Sequence, residues 1–184
     1  MDRRRALTAA QSMGGKYMIL PYIVFDGTLI FDTGQYANEK TSVSIKFRRT
    51  DIASNVYLYG VSVSPRFTAH LAQNGYWRYG DAYPIFNTED IYETVAEVSP
   101  TKITVGRHSK TFEEQSFTTN HTVPIGGHKP SSGVPTPQFI GHIYYFRMSV
   151  DGTMVADWIP VRRLSDGLDC FFDRVTNTFI EPIQ

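Results

Sequence analysis

Apolar and polar residues alternate along much of this chain with the two-residue period of a β-strand. The clearest case is the segment 42–48, where serines and basic residues alternate with Val43, Ile45 and Phe47. Short β-branched and aromatic runs recur from Lys16 onward, separated about every eight to twelve residues by Gly, Pro, Asn or Asp. No segment sustains the helical period. The pattern therefore predicts an all-β protein built as a sandwich or a barrel.

Turn-forming dipeptides indicate where the strands reverse. Asp26–Gly27 and Asp151–Gly152 are favoured tight-turn pairs, and each is flanked by apolar runs. The Gly- and Pro-rich segment 125–137 is predicted to be a long loop within the domain. The predicted hairpins pair segments 22–25 with 28–32, 140–150 with 154–159, and 171–172 with 178–180.

The length and composition fit a single domain. The chain has 184 residues, of which 41% are hydrophobic and 14% aromatic, and a chain of this size buries roughly 70% of its unfolded surface. We expect a basic N-terminal arm over residues 1–15, with a short helix at most, followed by one domain over residues 16–184. The longest apolar run, 18–25, is far shorter than the ~20 residues of a membrane span. The N-terminus also lacks the apolar stretch of a secretion signal, so we predict neither membrane insertion nor export.

Charge and cysteine content exclude some function classes. Eighteen Lys and Arg residues balance eighteen Asp and Glu residues, so no overall positive field attracts nucleic acid. Arg48–Arg49 and Arg162–Arg163 lie in or beside predicted strands, where adjacent side chains point to opposite faces. These pairs therefore do not form a basic stripe that could bind nucleic acid. The single cysteine, Cys170, excludes an internal disulfide and a cysteine-based zinc site.

The segment 74–83 (NGYWRYGDAY) concentrates rings and polar groups between two turn signals. Strand alternation predicts Tyr76 and Arg78 on one face, with Trp77 and Tyr79 on the other. Exposed rings stack on the apolar faces of sugars, while neighbouring polar groups bond the hydroxyls. Alternatively, Trp77 and Tyr79 belong to the core and Arg78 to a solvated rim. The candidate glycan-binding residues are Asn74, Tyr76, Trp77, Arg78, Tyr79 and Asp81.

No metal or cofactor site is indicated by the residue spacing. The five histidines are scattered without short ligand spacing, which argues against a transition-metal site. Asp26, Asp32, Asp81 and Asp173 have oxygens that suit calcium, but each has a simpler interpretation as a turn residue. We therefore predict no cofactor.

Both ends of the chain resemble a known domain family. Residues 22–34 (YIVFDGTLIFDTG) are similar to the opening strands of laminin-G-like, concanavalin-A-like jelly-roll domains, which are common in bacteriophage, prophage and gut-bacterial surface proteins. Residues 139–148 (FIGHIYYFRM) and 155–161 (VADWIPV) resemble their penultimate hairpin. Residues 165–173 (SDGLDCFFD) and 177–179 (NTF) resemble their closing strands, although Cys170 replaces a usual small residue. The resemblance implies an antiparallel two-sheet jelly-roll sandwich.

Jelly-roll enzymes that cleave polysaccharides carry a Glu-x-Asp-x-x-Glu strand, which this chain lacks. Glu89 and Asp90 are adjacent, so in a strand they face opposite sides and cannot form an acid and nucleophile pair about 5 Å apart. Glu113 and Glu114 fail for the same reason. We therefore expect no enzymatic activity, and a glycoside hydrolase or lyase remains an alternative only for carboxylates brought together from separate strands.

The resemblance implies a non-enzymatic binding module on a bacteriophage or prophage virion, tail- or head-fibre-like, that binds bacterial surface carbohydrate. Arg3, Arg4 and Arg5 form the candidate assembly arm that docks on other virion subunits. Such a protein is made in the bacterial cytoplasm and needs no signal peptide. Sandwich edges pair across subunits in some proteins, so a homo-oligomer is compatible with this reading. The alternative is a purely structural decoration protein without glycan binding.

Overall fold

The computed structural model describes residues 15–51, 56–71, 74–87 and 93–183. Within these ranges the chain forms eighteen β-strands and no helix. All pairs of named strands are antiparallel. The prediction of an all-β, antiparallel protein is confirmed.

The strands are numbered here in chain order. The first nine are β1 (Tyr17–Ile19), β2 (Ile23–Asp26), β3 (Phe31–Asn38), β4 (Thr41–Arg49), β5 (Val56–Val61), β6 (Arg66–Leu71), β7 (Asn74–Gly80), β8 (Ile85–Asn87) and β9 (Glu93–Ser99). The others are β10 (Lys102–Val105), β11 (His108–Thr111), β12 (Thr118–Ile125), β13 (Gly127–His128), β14 (Thr136–Pro137), β15 (Ile140–Val150), β16 (Thr153–Arg163), β17 (Asp169–Asp173) and β18 (Thr178–Ile180).

Two large sheets contain nearly all of these strands. The ten-stranded sheet has the order β11-β10-β9-β4-β15-β16-β17-β18, with β1 paired to β16 and β2 paired to β15. The six-stranded sheet has the order β3-β12-β5-β6-β7-β8. The short strands β13 and β14 pair with each other.

The central strand β4 has the alternation that its sequence predicts. Val43, Ile45 and Phe47 are buried, whereas the intervening serines and Lys46 are only half-buried. Removing these three apolar side chains from water stabilises the fold by roughly 1.5–3 kcal/mol each. The buried face of β4 therefore fixes which side of the ten-stranded sheet faces the core.

The two sheets pack face to face around one hydrophobic core. The Phe31 ring of the six-stranded sheet lies 5.7 Å from the Phe25 ring and 4.9 Å from the Phe171 ring of the ten-stranded sheet. Phe171 in turn contacts the buried Trp158, whose ring lies 5.5 Å away. One continuous cluster of buried side chains includes residues of both sheets, as in a β-sandwich.

Two of the three predicted hairpins are present. β15 and β16 pair across Asp151 and Gly152, whose φ angles of 51° and 75° are the left-handed values that a two-residue hairpin turn requires. β17 and β18 form the last hairpin. The 125–137 segment includes the β13 and β14 pair, so it is more ordered than a plain loop.

The predicted hairpin at Asp26–Gly27 is wrong. β2 pairs with β15 in the ten-stranded sheet, while β3 pairs with β12 in the six-stranded sheet. The turn itself forms, because the Asp26 carboxylate accepts a hydrogen bond from the Thr28 backbone N–H at 2.9 Å. It carries the chain from one sheet to the other, since a turn dipeptide fixes local geometry but not the partner of each strand.

The basic arm lies outside the described residues, apart from Gly15 at its end. The same holds for the Glu89–Asp90 pair. The predicted roles of Arg3, Arg4 and Arg5 therefore stay predictions.

Candidate functional site

Strand β7 turns one face to the core and the other to the outside. Trp77 and Tyr79 are 0% exposed, whereas Tyr76 and Arg78 on the opposite face are half-buried. The predicted alternation is therefore present, and the outer face of the six-stranded sheet is the one that a ligand can reach.

Trp77 and Tyr79 belong to the core, so their place among the ligand-contacting residues is corrected. The Trp77 ring packs edge-on against Tyr59 and Phe86, with centroids 5.8 and 6.3 Å apart. The Tyr79 hydroxyl lies 2.8 Å from the carbonyl oxygens of Glu39 and Thr41, to which it donates. The Tyr79 bond to Thr41 ties β7 to the opposite sheet, and the packing of both rings in the core leaves no ring surface for a sugar.

Asn74 and Asp81 lie at the two ends of the segment. Asn74 begins β7 and pairs with Asn87 through the backbone. Asp81 is exposed and lines a separate depression of about 600 Å³ beside Lys110 and Phe112. Asp81 is therefore not grouped with Tyr76 and Arg78 in one pocket.

A row of rings crosses the outer face of the six-stranded sheet. Successive neighbours are 4.2, 4.7, 4.3 and 5.1 Å apart, measured between ring centroids. The guanidinium carbon of Arg78 lies 3.7 Å from the centre of the last ring. In order across the sheet, the rings belong to His128, Tyr57, His70, Tyr76 and Tyr83.

The row combines stacking with hydrogen bonding. The hydroxyls of Tyr57 and Tyr76 lie 2.9 Å apart and share a hydrogen bond across β6. Tyr83, at the end of the row, is 44% exposed. The aromatic surface is therefore rigid at its centre and open to solvent at its edge.

Burial keeps most groups in this row neutral. Burial first, and then the hydrogen bond to Tyr76, raises the pKa of Tyr57 well above its usual range. Burial also lowers the pKa of His128, and burial together with the charge of Arg49 lowers the pKa of His70. At neutral pH the tyrosine is therefore a hydrogen-bond donor, and both imidazoles are uncharged.

A small polar pocket opens beside the row. It has a volume of about 210 Å³, and its lining includes two arginines, one tyrosine each from β5 and β7, a serine that follows β5, and one buried threonine. This is smaller than the ~300–1,000 Å³ of sites that enclose a drug-sized ligand, so it suits one functional group of a larger molecule. The lining residues are Tyr57, Ser62, Arg66, Thr68, Tyr76 and Arg78.

Several of these residues were not predicted as site residues. Arg66, Thr68 and His70 alternate with Phe67, Ala69 and Leu71 along β6, which is a readable strand signal for an outward polar face. Tyr57, Tyr83 and His128 have no local signal, because only the pairing of separate segments brings them beside Tyr76.

Basic pairs elsewhere are neutralised by carboxylates. Arg162 lies 2.6 Å from Asp169, and Arg163 pairs with Asp166 and Glu181. These contacts give the arginines of β16 a structural role and leave no continuous basic stripe there.

The aspartates considered for calcium form turns and ion pairs. Asp32 accepts a hydrogen bond from the Gly34 backbone at 3.0 Å and pairs with the Lys129 ammonium. Asp173 accepts from the Val175 backbone, also at 3.0 Å. Across residues 15–51, 56–71, 74–87 and 93–183, no three His, Cys, Asp or Glu side chains are grouped as metal ligands.

In the part of the chain that the structure describes, no helix has the length and hydrophobicity needed to cross a membrane. The chain matches no protein-family model, and no curated protein is significantly similar to it.

Proposed function

We propose that this protein is a non-enzymatic binding module that contacts carbohydrate through the outer face of its six-stranded sheet. The observation that carries the proposal is the ring row that ends in the stacked Arg78 and half-exposed Tyr83 beside a polar pocket. Flat rings cover the apolar faces of sugars, and the adjacent hydroxyl and guanidinium groups bond the sugar hydroxyls.

The proposed setting is a bacteriophage or prophage particle, and the ligand is bacterial surface glycan. The resemblance of residues 22–34, 139–161 and 165–179 to laminin-G-like jelly-roll domains supports this setting. The two antiparallel sheets around one core are compatible with that family. A purely binding role is also compatible with the pocket, because none of its lining residues is a carboxylate.

The test is a screen of the purified full-length chain on an array of bacterial glycans, with and without calcium. We expect Tyr76→Ala to lose binding at least tenfold while it stays folded, because it removes a ring that lines the polar pocket and supports the exposed Tyr83. The matched control is Tyr145→Ala. Tyr145 is a half-buried tyrosine on the other sheet, and its ring is contacted by Arg147 at 5.0 Å.

Loss of binding in both variants, or in neither, argues against this site. Silence of the wild-type chain across the array argues against glycan binding altogether. That result favours the second candidate, a particle protein that binds only other subunits.

One observation favours the second candidate independently. Every residue of β11 is exposed, and among the described strands β11 pairs only with β10, so its outer edge is free to pair with another chain. Light scattering of the purified protein across a concentration series tests this role, which predicts a mass that increases with concentration.

A further inference from the structure

The polar pocket beside Tyr76 contains two buried groups whose hydrogen-bonding capacity is unused. Thr68 is 1% exposed, and its hydroxyl oxygen has no hydrogen-bond partner among the described residues. The Nε of Arg78 is also buried without a partner there. A buried polar group left unpaired destabilises the empty pocket, so a molecule that occupies the pocket and bonds both groups is favoured.

The pocket has positive charge and no compensating carboxylate. Arg66 and Arg78 both line it, and neither forms a salt bridge with any carboxylate in the described ranges. Arg147, Arg162 and Arg174 on the other sheet are each paired with an aspartate. The two pocket arginines thus keep their charge available for a ligand.

The other lining groups add donors. The Tyr57 and Tyr76 hydroxyls use one hydrogen between them, so the second hydrogen is free to point at a ligand. A tyrosine hydroxyl is protonated at neutral pH, and burial, which raises the pKa of Tyr57, keeps it so over a wider pH range. Ser62 also lines the pocket, but its hydroxyl donates to the Lys129 carbonyl oxygen at 3.4 Å, so it adds no free donor.

The side chains are held in place before any ligand arrives. The Arg78 guanidinium lies against the Tyr83 ring at 3.7 Å and above the Tyr76 ring at 5.8 Å. The Arg66 Nε donates to the Ser62 carbonyl oxygen at 3.0 Å, which leaves its terminal nitrogens for other partners. Preorganised guanidinium groups bind carboxylate and other oxyanions through paired hydrogen bonds.

We propose that this pocket binds an oxyanion carried by an acidic glycan, a carboxylate or a sulfate, while a sugar ring lies on the exposed Tyr83. This inference rests on the proposed carbohydrate-binding function and names the class of sugar: uronic-acid or sulfated glycan rather than neutral glycan. The pocket volume of about 210 Å³ accommodates the charged substituent, and the exposed row accommodates the ring that bears it.

The experiment is titration calorimetry of the protein with five probes. They are an oligosaccharide that contains glucuronic acid, its carboxyl-reduced counterpart, the same oligosaccharide with sulfate esters in place of the carboxylates, free sodium glucuronate and free sodium sulfate. We expect an acidic oligosaccharide to bind at least tenfold more tightly than the reduced one, and the affinity to fall as salt rises.

Variants locate the binding group. Arg78→Gln and Arg66→Gln are each expected to weaken binding of the acidic oligosaccharide tenfold or more. Arg107→Gln is the control, because Arg107 is exposed in the turn between β10 and β11, away from the pocket. Thr68→Val is the variant that separates binding from folding. It removes a hydroxyl that has no partner in the described chain, so we expect an unchanged or higher Tm together with weaker binding.

The outcomes separate this inference from the proposed function. If the reduced and acidic oligosaccharides bind equally, the oxyanion pocket is overturned and carbohydrate binding stands. If no oligosaccharide binds but free sulfate does, and Arg78→Gln abolishes that binding, the pocket binds an oxyanion but the proposal that a glycan carries it is overturned. If the acidic oligosaccharide binds and Arg66→Gln, Arg78→Gln and Thr68→Val all retain wild-type affinity, the assignment to this pocket is overturned.

Discussion

The guanidinium of Arg78 lies over the ring of Tyr83, with its carbon 3.7 Å from the ring centre. Arg78 lies in β7 beside the buried Trp77, and its side chain projects from the opposite face of the strand. Tyr83 follows the strand and is 44% exposed. Such a contact contributes about 0.5–1 kcal/mol at an exposed site. Its greater effect is geometric, because it fixes the guanidinium over the polar pocket instead of leaving it in solvent.

Replacing Tyr83 tests that positioning. We expect Tyr83→Ala to weaken acidic-glycan binding at least threefold while it lowers the free energy of unfolding by less than about 1 kcal/mol. Tyr83→Phe keeps the ring and should retain most of the affinity. Calorimetry and thermal unfolding measure the two effects, and equal loss in both variants would mean that the hydroxyl rather than the ring matters.

Replacing Trp77, in contrast, should reduce the stability of the fold strongly. Because its ring is 0% exposed and packs against Tyr59 and Phe86, Trp77→Ala should lower the free energy of unfolding by about 3–5 kcal/mol. Urea unfolding measures this loss. Tyr36→Ala removes a half-exposed ring from β3 and is the control, with an expected change within about 0.5 kcal/mol. A small effect at Trp77 would contradict its placement in the core.

The contrast between Trp77 and Arg78 shows what alternation can predict. Alternation along 74–80 separates the two faces of β7 correctly, and the same rule identifies the inward residues of β4. It does not say which face of β7 is covered, because that depends on where the opposite sheet lies. The three-dimensional pairing decides that question.

Irregular pairing also limits prediction. Simple alternation along β5 places Tyr57 and Tyr59 on one face, but the register with β6 shifts between them. Tyr57 therefore joins the outer ring row, and Tyr59 is buried in the core. A β-bulge of this kind is set by the partner strand and cannot be read from one segment alone. The Asp26–Gly27 turn likewise forms no hairpin because its two flanking strands pair with other strands.

The hydroxyl pair of Tyr57 and Tyr76 is suited to a double-mutant cycle. The 2.9 Å hydrogen bond should give a coupling energy of about 0.5–1.5 kcal/mol between Tyr57→Phe and Tyr76→Phe. Urea unfolding of the two single variants and the double variant measures it. Strict additivity would mean that the hydroxyls do not bond each other in solution.

Cys170 should be inert in the folded protein. Its thiol is 0% exposed within a cluster formed with Tyr17, Val161 and Phe172, and burial raises its pKa to about 11. Since the thiolate is the reactive form, we expect no reaction with a disulfide reagent at pH 8 over an hour, and one equivalent of reaction in guanidinium chloride. Rapid labelling of the native protein would contradict the burial of this strand.

The buried imidazoles of the ring row predict that stability depends on pH. Burial lowers the pKa of His70 and of His128 below the ordinary value of 6.5. The unfolded chain therefore binds more protons than the folded chain once the pH falls below about 6.5. Their contribution to stability is complete above that pH, declines as the pH falls toward the lowered folded values, and changes no further below them.

Urea unfolding at pH 7.5, 6.5 and 5.5 measures this decline. The double variant His70→Gln, His128→Gln should flatten the pH dependence, with a residual slope from His142, whose pKa burial also lowers. His108→Gln, on an exposed residue of β11, should keep the full slope. If the free energy of unfolding instead rose as the pH fell from 7.5 to 5.5, protonation of the imidazoles would stabilise the folded state, which would contradict their burial.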